Sequence, residues 1–338
     1  MDLLTPARTW AAAEAVAPEP RVAVADVGHG HERMPLVPRV VMFLSVVGPF
    51  VGFLGAIVLL WGRGVGPVDL AAMVLMYCIA GFGVTIGFHR LLTHKAFETS
   101  RAVRILLAIC GSIGAQGQVI RWCATHRRHH QESDQPGDPH SPHQHGESPL
   151  DLLKGLWHAH VGWCFNTDPD DTARSVRDLC SDRAMLFVDQ LYFVWVFVGL
   201  LIPAALVGLW TGTWGGALSG MLWGGLGRIF LMQHVTWSVN SVCHVWGARP
   251  FRSGDHSANN PAVALLSLGE GWHNNHHAFP TSARHGLMWW QFDPSWLIIK
   301  GMETVGLAWN VRVPPPAALE AKRLPPTDDT PTSQQRAA

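Results

Sequence analysis

The sequence predicts an all-α membrane protein in which four spanning helices, arranged as two hairpins, carry an interfacial helix and a cytoplasmic helical cap with a histidine-rich metal site. Two observations predict this fold class. The 338 residues contain long uncharged runs, and only 15% of the side chains are charged whereas 48% are hydrophobic. Most of the 19 histidines lie just beyond these runs, where the segments become polar. A bilayer core and a polar cap on one of its faces therefore account for the two kinds of segment.

Four membrane spans follow from the uncharged runs. The first two runs are separated by the short segment GRGVGPVD, which indicates a tight hairpin loop. The third run, residues 190–227, is too long for one crossing, and TGTWGG at residues 211–216 supplies a turn within it. The predicted spans are 40–61, 70–92, 187–210 and 215–240.

Three segments are predicted not to span the membrane. The stretch 105–120 is apolar but short and glycine-rich, which indicates a helix that lies in the interface or dips into it. An N-terminal cytoplasmic tail over residues 1–37 and a proline-rich C-terminal tail over 311–338 are predicted to be disordered. The membrane domain is thus 38–310. Within it Arg228 is unusual for a span, and the sequence names no partner for it.

Two hairpins place both termini and the region between residues 89 and 183 on one face of the membrane. Arginines and lysines near the span ends lie on this shared face, whereas Arg63 lies in the opposite loops. The positive-inside rule makes the shared face cytoplasmic and predicts a multi-pass protein of the cell membrane. Lysine plus arginine equals aspartate plus glutamate, 25 each, so no net charge argues for a nucleic-acid partner.

Four histidine motifs carry the chemistry: HRLLTH, HRRHH, NSVCH and HNNHH. Positions i, i+3 and i+4 of a helix share a face, so each H-x-x-H-H motif can aim three imidazoles at a common point. NSVCH also contains Asn240. The candidate metal-ligating histidines are His89, His94, His126, His129, His130, His244, His273, His276 and His277.

The positions of these histidines agree with one cytoplasmic site. Counting ~1.5 Å per residue from Leu70, His89 lies ~29 Å along its helix, about one bilayer core from the outer face. His89 and His94 are about 140° apart on an ideal helix, so the helix is expected to loosen or end between them. Glu270 and Asp138 are candidates to orient the imidazoles.

Nine imidazoles exceed what one ion accepts, since common sites take four to six ligands, and two metals are the economical number. Imidazole suits iron, zinc, copper and nickel alike, so the residues alone leave the metal open. A membrane zinc hydrolase or a metal-binding receptor is therefore an alternative of a different class.

The quoted motifs, with GEGWHNNHHAFP and TWSVNSVCHVWGARPF, resemble the integral-membrane fatty acid desaturases of the stearoyl-CoA Δ9 type from about residue 70 to 300. The resemblance implies that the nine histidines ligate two iron ions and that Asn240 holds one of them through water. It also implies an oxidoreductase that uses O2 to introduce a cis double bond, at Δ9, into a saturated acyl chain. A histidine-box fatty acyl or alkane hydroxylase is the alternative within this class.

The resemblance further implies a tunnel for the acyl chain between the spans. Gln116, Trp122, Thr236 and Trp237 match positions around the bend of that tunnel. Tyr77 and Gly81 match positions that cap the tunnel and set chain length.

The carrier of the acyl chain stays open between acyl-CoA, acyl lipid and acyl carrier protein. Animal acyl-CoA enzymes carry Arg and Asp directly before the HRRHH motif, whereas this chain has Ala124 and Thr125 there. Arg121, Arg127 and Arg128 are alternative phosphate-binding residues. The chain lacks a cytochrome b5 HPGG motif and ferredoxin cysteine spacing, so a separate electron donor is expected, a ferredoxin or a cytochrome b5-like protein with its reductase.

Overall fold

The structure of this chain is a computed structural model that describes residues 35–59, 65–146, 148–166 and 175–325. The α-helices are α1 (Leu36–Leu59), α2 (Pro67–Phe82), α3 (Arg101–Ile113), α4 (Val119–Glu132), α5 (Pro149–His160), α6 (Arg177–Cys180), α7 (Arg183–Gln190), α8 (Tyr192–Thr211), α9 (Trp214–Gly220), α10 (Arg228–Ser241), α11 (Pro261–Leu266), α12 (His273–Ala278), α13 (Pro294–Thr304) and α14 (Pro316–Lys322). The π-helices are Gly83–Thr93 and Met221–Gly227, and 3-10 turns lie at Gly162–Phe165 and Val242–His244. Strands β1 (Glu98–Thr99) and β2 (Ala308–Trp309) pair antiparallel.

Among the described residues, three helices are long and apolar enough to cross a membrane: Leu36–Leu59, Pro67–Thr93 and Tyr192–Thr211. These three helices coincide in position with the first three predicted spans. Proline at the first turn of α2 starts the second span, because it lacks the N–H that would be unpaired there. Gly212, in a left-handed conformation, ends the third span at the predicted turn.

The third span begins at Tyr192 and not at residue 187 as predicted. Residues 187–190 belong to α7, a separate short helix that ends at Gln190. Its Asp189 is not a lipid-facing residue: Asp189 Oδ1 accepts a hydrogen bond from Ile120 N at 2.8 Å. This carboxylate pairs an N–H of the first turn of α4, which has no partner within its own helix.

The segment 214–241 is helical throughout, as α9, the second π-helix and α10. It is not among the helices apolar enough to be a candidate span, so the fourth crossing stays a prediction. Two of its polar side chains, Arg228 and Gln233, are buried inside the bundle. A helix that packs against other helices rather than lipid does not need an apolar surface, which explains its weak hydropathy signal.

Three backbone carbonyls surround the buried guanidinium of Arg228. The side chain donates to Ile113 O at 2.9 Å, Gly199 O at 3.2 Å and Gly224 O at 3.3 Å. Ile113 is the last residue of α3, where helix carbonyls are unpaired and a cation is favourable. Arg228 therefore fastens the end of α3 to the third span and to the segment 214–241.

The second span continues into a π-helix, as expected for a helix that loosens between His89 and His94. His94 N donates to His89 O at 3.1 Å, a bond between residues five apart. The additional residue in each π-turn brings these two positions onto nearly the same face. Their rings lie 4.9 Å apart between centroids.

The predicted interfacial helix 105–120 is in fact parts of two helices, α3 and α4, joined by a turn at residues 114–118. A Cβ on Gly83 would lie 2.1 Å from Gly111 N, and one on Gly87 would lie 2.9 Å from Leu107 O. The backbone of α3 thus runs antiparallel and in direct contact with the π-helix, which only glycine permits. Helix α4 returns beside it and carries the HRRHH motif.

The predicted disorder of 311–338 is wrong for its described part. Helix α14 is attached to the cap, since Lys322 O accepts from Arg252 N and Leu324 N donates to Pro250 O, both at 2.8 Å. The proline-rich composition suggested disorder. The backbone groups that hold the segment could not be identified from the sequence, because they are distant in the chain. Residues 326–338 lie outside the described residues.

The N-terminal tail was predicted to run to residue 37, and most of it, residues 1–34, also lies outside the described residues. Helix α1 begins at Leu36, one residue before the predicted end of the tail and four residues before the predicted start of the first span at residue 40. The first span therefore starts slightly earlier than expected.

Candidate metal centre

Two adjacent clusters contain all nine histidines that the sequence singles out. The first cluster consists of His89, His94, His126, His130 and His276. The second cluster consists of His129, His244, His273 and His277. Within each cluster one ring nitrogen per residue lies within 4.8 Å of the others, and every ring is buried or half-buried. Each cluster is thus compact enough to surround one ion.

The spacing of each H-x-x-H-H motif predicted that its three imidazoles aim at one point. In the structure, each motif is instead divided between the two clusters. On α4, His126 and His130 belong to the first cluster and His129 to the second. Helix α12 reverses this division: His276 belongs to the first cluster, and the other two belong to the second. Each helix lies between the clusters, so its i and i+4 side chains face one and its i+3 side chain faces the other.

The Nε2 atoms converge at the centre of each cluster. In the first cluster His276 Nε2 lies 3.0 Å from His89 Nε2 and 2.8 Å from His130 Nε2. The ring of His94 lies 4.5 Å from that of His130, and its buried Nε2 has no hydrogen-bond partner among the described residues.

The second cluster is arranged in the same way. His244 Nε2 and His273 Nε2 are 3.0 Å apart, and His129 Nε2 and His277 Nε2 are 3.3 Å apart. Both clusters therefore present imidazole nitrogens to a shared centre.

Carboxylates hold the opposite nitrogen, Nδ1, of four of these rings. Glu270 contacts His89, and Asp138 lies 3.0 Å from His129, as the sequence suggested for both acids. Such carboxylate–imidazole pairs fix the ring orientation and the tautomer of metal-bound histidines.

Two further carboxylates with this role were missed from the sequence. Asp134 Oδ2 lies 2.8 Å from His244 Nδ1, and Asp255 Oδ2 lies 2.5 Å from His277 Nδ1. Asp134 follows the HRRHH motif closely, which was a usable signal. Asp255 lies in the chain between the last two motifs, and no helical spacing relates it to His277.

The tautomers imposed by these acids make the clusters fit a metal ion. An Nδ1 that faces a carboxylate carries the proton, so its Nε2 has a lone pair instead. Both His129 and His277 are held in this way, yet their Nε2 lone pairs face each other at 3.3 Å. Two acceptors at that distance repel each other unless a metal ion or a proton lies between them.

The electrostatics keep most of the ligand nitrogens free of protons, whereas at His129 the Asp138 carboxylate outweighs burial and raises the pKa. Burial, and after it the neighbouring imidazoles, hold the pKa of four cluster members well below the ordinary histidine value: His126, His130, His273 and His276. Neutral imidazole is the form that binds metals.

A buried ionic network behind the first cluster was not predicted. Arg90 Nη2 lies 3.1 Å from Glu270 Oε1 and 3.0 Å from Asp293 Oδ1. Arg90 is fully buried, and it follows His89 directly at the end of the second span. It fixes Glu270, which in turn contacts His89, so this pairing extends the support of the ring into the cap.

A cavity with a mostly apolar wall reaches both clusters. Tyr77, Gly81, Trp122 and Thr236, four of the predicted substrate residues, line it. Asn240, predicted to hold a metal through water, lines the same cavity. The remaining lining residues include Val84, Met232, Val235, Val239, Leu266, Leu268, His89, His126 and His273.

Two other predicted substrate residues do not line this cavity. Gln116 lies in the turn between α3 and α4, where its Nε2 donates to Gly114 O at 3.4 Å. Trp237 is buried in a separate apolar cluster with Val161 and Cys164. On α10 its neighbour Thr236 points to the cavity, because adjacent helix positions face different directions.

Arg127, one of the three arginines considered as alternative phosphate-binding residues, is engaged within the protein. The guanidinium of Arg127 donates to both oxygens of Asp178, at 2.7 and 3.0 Å, and to Leu92 O at 2.7 Å. Arg127 therefore joins α4 to the π-helix and to α6.

The model of the fatty acid desaturase family matches residues 67–310 of this chain. This chain belongs to the fatty acid desaturase family. The match covers both histidine clusters and the cavity, and it makes the protein an oxidoreductase that acts on acyl chains. It favours this class over the zinc hydrolase and the receptor.

Curated relatives of this desaturase differ in the carrier of their substrate. A hex-5-enoyl-[acyl-carrier protein] acetylenase of Moorena producens (strain JHB) is 44% identical over 278 residues, 82% of this chain and 87% of that protein. An sn-1 stearoyl-lipid 9-desaturase of Anabaena variabilis is 41% identical over 72% of this chain and 83% of that protein. An icosanoyl-CoA 5-desaturase of Limnanthes douglasii is 38% identical over 72% of this chain and 65% of that protein.

Proposed function

We propose that this protein is an O2-dependent fatty acyl desaturase that introduces a cis double bond at the Δ9 position of a saturated acyl chain. The observation that carries the proposal is the position of the two histidine clusters against an apolar cavity. An alkyl chain fits such a wall, and the clusters lie where a carbon of that chain would react. Relatives named as 9-desaturases support the position of the bond.

The residues present fit two iron ions. The five histidines of the first cluster would hold one ion, and the four of the second cluster, with Asn240 through water, would hold the other. Bound iron would supply O2-dependent oxidation, which breaking two unactivated C–H bonds requires and which redox-inert zinc cannot provide.

The protein's own side chains position the substrate and exclude water. Trp122 and Thr236 line the cavity together with the histidines, while Tyr77 and Gly81 line it from positions twelve and eight residues before His89 on the second span. A chain that fills the cavity displaces solvent from the reacting carbons, which suppresses side reactions. In the overall reaction two neighbouring carbons each lose a hydrogen, and these two hydrogens, together with two electrons from the donor and two protons, reduce O2 to two molecules of water.

The electrons would come from a separate donor, a ferredoxin or a cytochrome b5-like protein with its reductase. The donor would bind on the cytoplasmic face, since both termini and the cap are placed there by the positive-inside rule. The acyl carrier is an acyl lipid, acyl-CoA or acyl carrier protein, the three carriers named among the relatives.

A second candidate function is the conversion of an alkene into an alkyne. The relative that is 44% identical is named as an acetylenase. Removing hydrogens from a chain that is already unsaturated requires the same oxidant and the same cavity. A hydroxylase differs from both, because it adds oxygen to the product.

The test is expression in a host that lacks its own desaturase, followed by analysis of its acyl chains. We expect cis-Δ9 monounsaturated chains with the wild-type protein, and their loss with His130→Ala, because His130 Nε2 faces two other ligand nitrogens. His145→Ala, an exposed histidine outside both clusters, is the matched control and keeps activity.

Product and metal analysis separate the alternatives. Hydroxylated or alkynyl chains would identify the other reactions. About two irons per purified chain are expected, whereas unchanged acyl profiles with iron-loaded protein, or a protein that contains zinc alone, would refute the proposal.

A further inference from the structure

The end of α11 has a leucine where the backbone favours glycine. After the last helical residue, Leu266, the chain closes with a hydrogen bond from Gly269 N to Ala264 O at 2.8 Å. Leu268 takes the left-handed conformation in this turn, with φ 57°. Helices that end in this way usually carry glycine there, because a Cβ is strained at positive φ. Strain that persists in a fold is reason to look for a function of the residue.

The side chain of Leu268 extends toward a glycine of the second span. A Cβ added to Gly81 would lie 2.6 Å from Leu268 Cδ1. Both residues line the apolar cavity. The leucine therefore fills the space that a side chain at position 81 would have occupied.

Two hydroxyl groups fix the position of this leucine. Leu268 O accepts from Ser295 Oγ at 2.8 Å, and Ser295 Oγ lies 2.7 Å from Thr85 Oγ1. Thr85 is on the π-helix, and Ser295 is in the first turn of α13. The turn is thus held between the span that carries His89 and the cap.

We propose that Leu268 selects the length of the acyl chain by closing the far end of the cavity above Gly81. Gly81 precedes His89 by eight residues, so this closure lies on the order of 12 Å from the first cluster along the helix. The chain beyond the reacting carbons ends where Leu268 meets Gly81. The inference rests on the proposed function, because it assumes that an acyl chain occupies the cavity.

The test compares the wild type with Leu268→Gly in the desaturase-free host, supplied with a series of even-numbered saturated acyl chains. Removing the side chain opens the cavity, so we expect the preference between neighbouring chain lengths to shift toward the longer one by about tenfold. Glycine also relieves the backbone, so the Tm of the purified variant should be unchanged or higher. A leucine with only a structural role would instead lower Tm when removed and leave the chain-length distribution unchanged.

Three further variants keep the test sharp. Leu265→Ala alters a leucine of the same segment that is 63% exposed and does not line the cavity, and it should preserve the distribution. Leu268→Ala should shift the distribution in the same direction as Leu268→Gly. Gly81→Ala should shorten the accepted chain, and adding Leu268→Gly to it should restore longer products.

The outcomes distinguish this inference from the proposed function. If the wild type makes no unsaturated or otherwise oxidised product, both the proposed function and the inference about Leu268 are refuted. A wild type that desaturates, with Leu268 variants that retain its chain-length preference, overturns the inference alone.

Discussion

At the residue scale, the pairing of imidazoles with carboxylates decides what the histidines can do. Glu270, Asp134, Asp138 and Asp255 each contact an Nδ1 atom, and the Nε2 atoms are left to face the cluster centres. An imidazole alone could rotate or change tautomer. The acids remove both freedoms before a metal binds.

Asp255→Asn should weaken the second metal position. The amide loses the charge that strengthens the bond to His277 Nδ1, so we expect metal affinity to fall on the order of ten- to a hundredfold. Chelator titration of the iron-loaded protein measures this.

The matched control for this change is Asp151→Asn, because Asp151 contacts Lys154 at 3.1 Å and no histidine. It should retain iron as the wild type does. Equal iron retention in the two variants would show that Asp255 does not support the ligand.

The sequence predicted which histidines come together better than it predicted the groups that hold their rings in place. Nine histidines were identifiable because their spacing repeats in short motifs. Asp255 and His277 are 22 positions apart, and Arg90 and Asp293 are 203 apart, so their pairing depends on the tertiary fold. Helical spacing also could not reveal that each H-x-x-H-H motif divides between two clusters.

At the element scale, direct backbone contact between α3 and the π-helix sets the distance between the histidine motifs. The contact is made at Gly83 and Gly111, and α4 returns from it to place Trp122 against Phe88, with ring centroids 5.7 Å apart. The HRRHH motif is therefore positioned by glycines that lie outside every histidine motif.

Gly83→Ala should reduce turnover without touching a ligand. A Cβ at this position would lie 2.1 Å from a backbone nitrogen, so α3 and α4 must move away from the π-helix. A displacement of about 1 Å costs turnover on the order of a hundredfold. Product formation per iron-loaded protein is the measurement.

Gly55→Ala is the control, because a Cβ there meets nothing within 4 Å and the residue also lies in a predicted span. It should retain turnover. If Gly83→Ala is equally active, the spacing of the motifs does not depend on this contact.

Elements were predictable from sequence where apolar runs were long. Three apolar runs correspond to three candidate spans, whereas the segment 214–241 gives a weak hydropathy signal because its own Arg228 and Gln233 are buried inside the bundle. The helix at 105–120 was placed near the membrane, but its turn was not foreseen. That turn uses positive φ at Ala115 and Gly117, and alanine gives no signal for this conformation.

At the scale of the whole molecule, the proposed four crossings put Thr213 outside and Arg252 inside the cell. Both side chains are exposed. We expect Thr213→Cys to react with a membrane-impermeant maleimide in intact cells, and Arg252→Cys to react only after permeabilisation. The chain's own cysteines are buried or half-buried, which keeps background labelling low.

The reverse labelling pattern would show that the topology is inverted. Labelling of both positions in intact cells would show that the segment 214–241 does not cross the membrane. Wild-type protein carried through the same protocol measures the background of the native thiols. Neither result would affect the family assignment or the histidine clusters, because these rest on the family match and on the positions of the side chains.

The π-helix Gly83–Thr93 has a consequence for how such proteins diverge. Removing one residue between Gly81 and His89 would turn the preceding helix by about 100° relative to the histidines. Tyr77 and Gly81 would then face away from the cavity, although every motif letter would still be present. The deletion of a single residue here would thus change which acyl chains the cavity accepts. A search for the histidine motifs would still identify the protein as a complete desaturase.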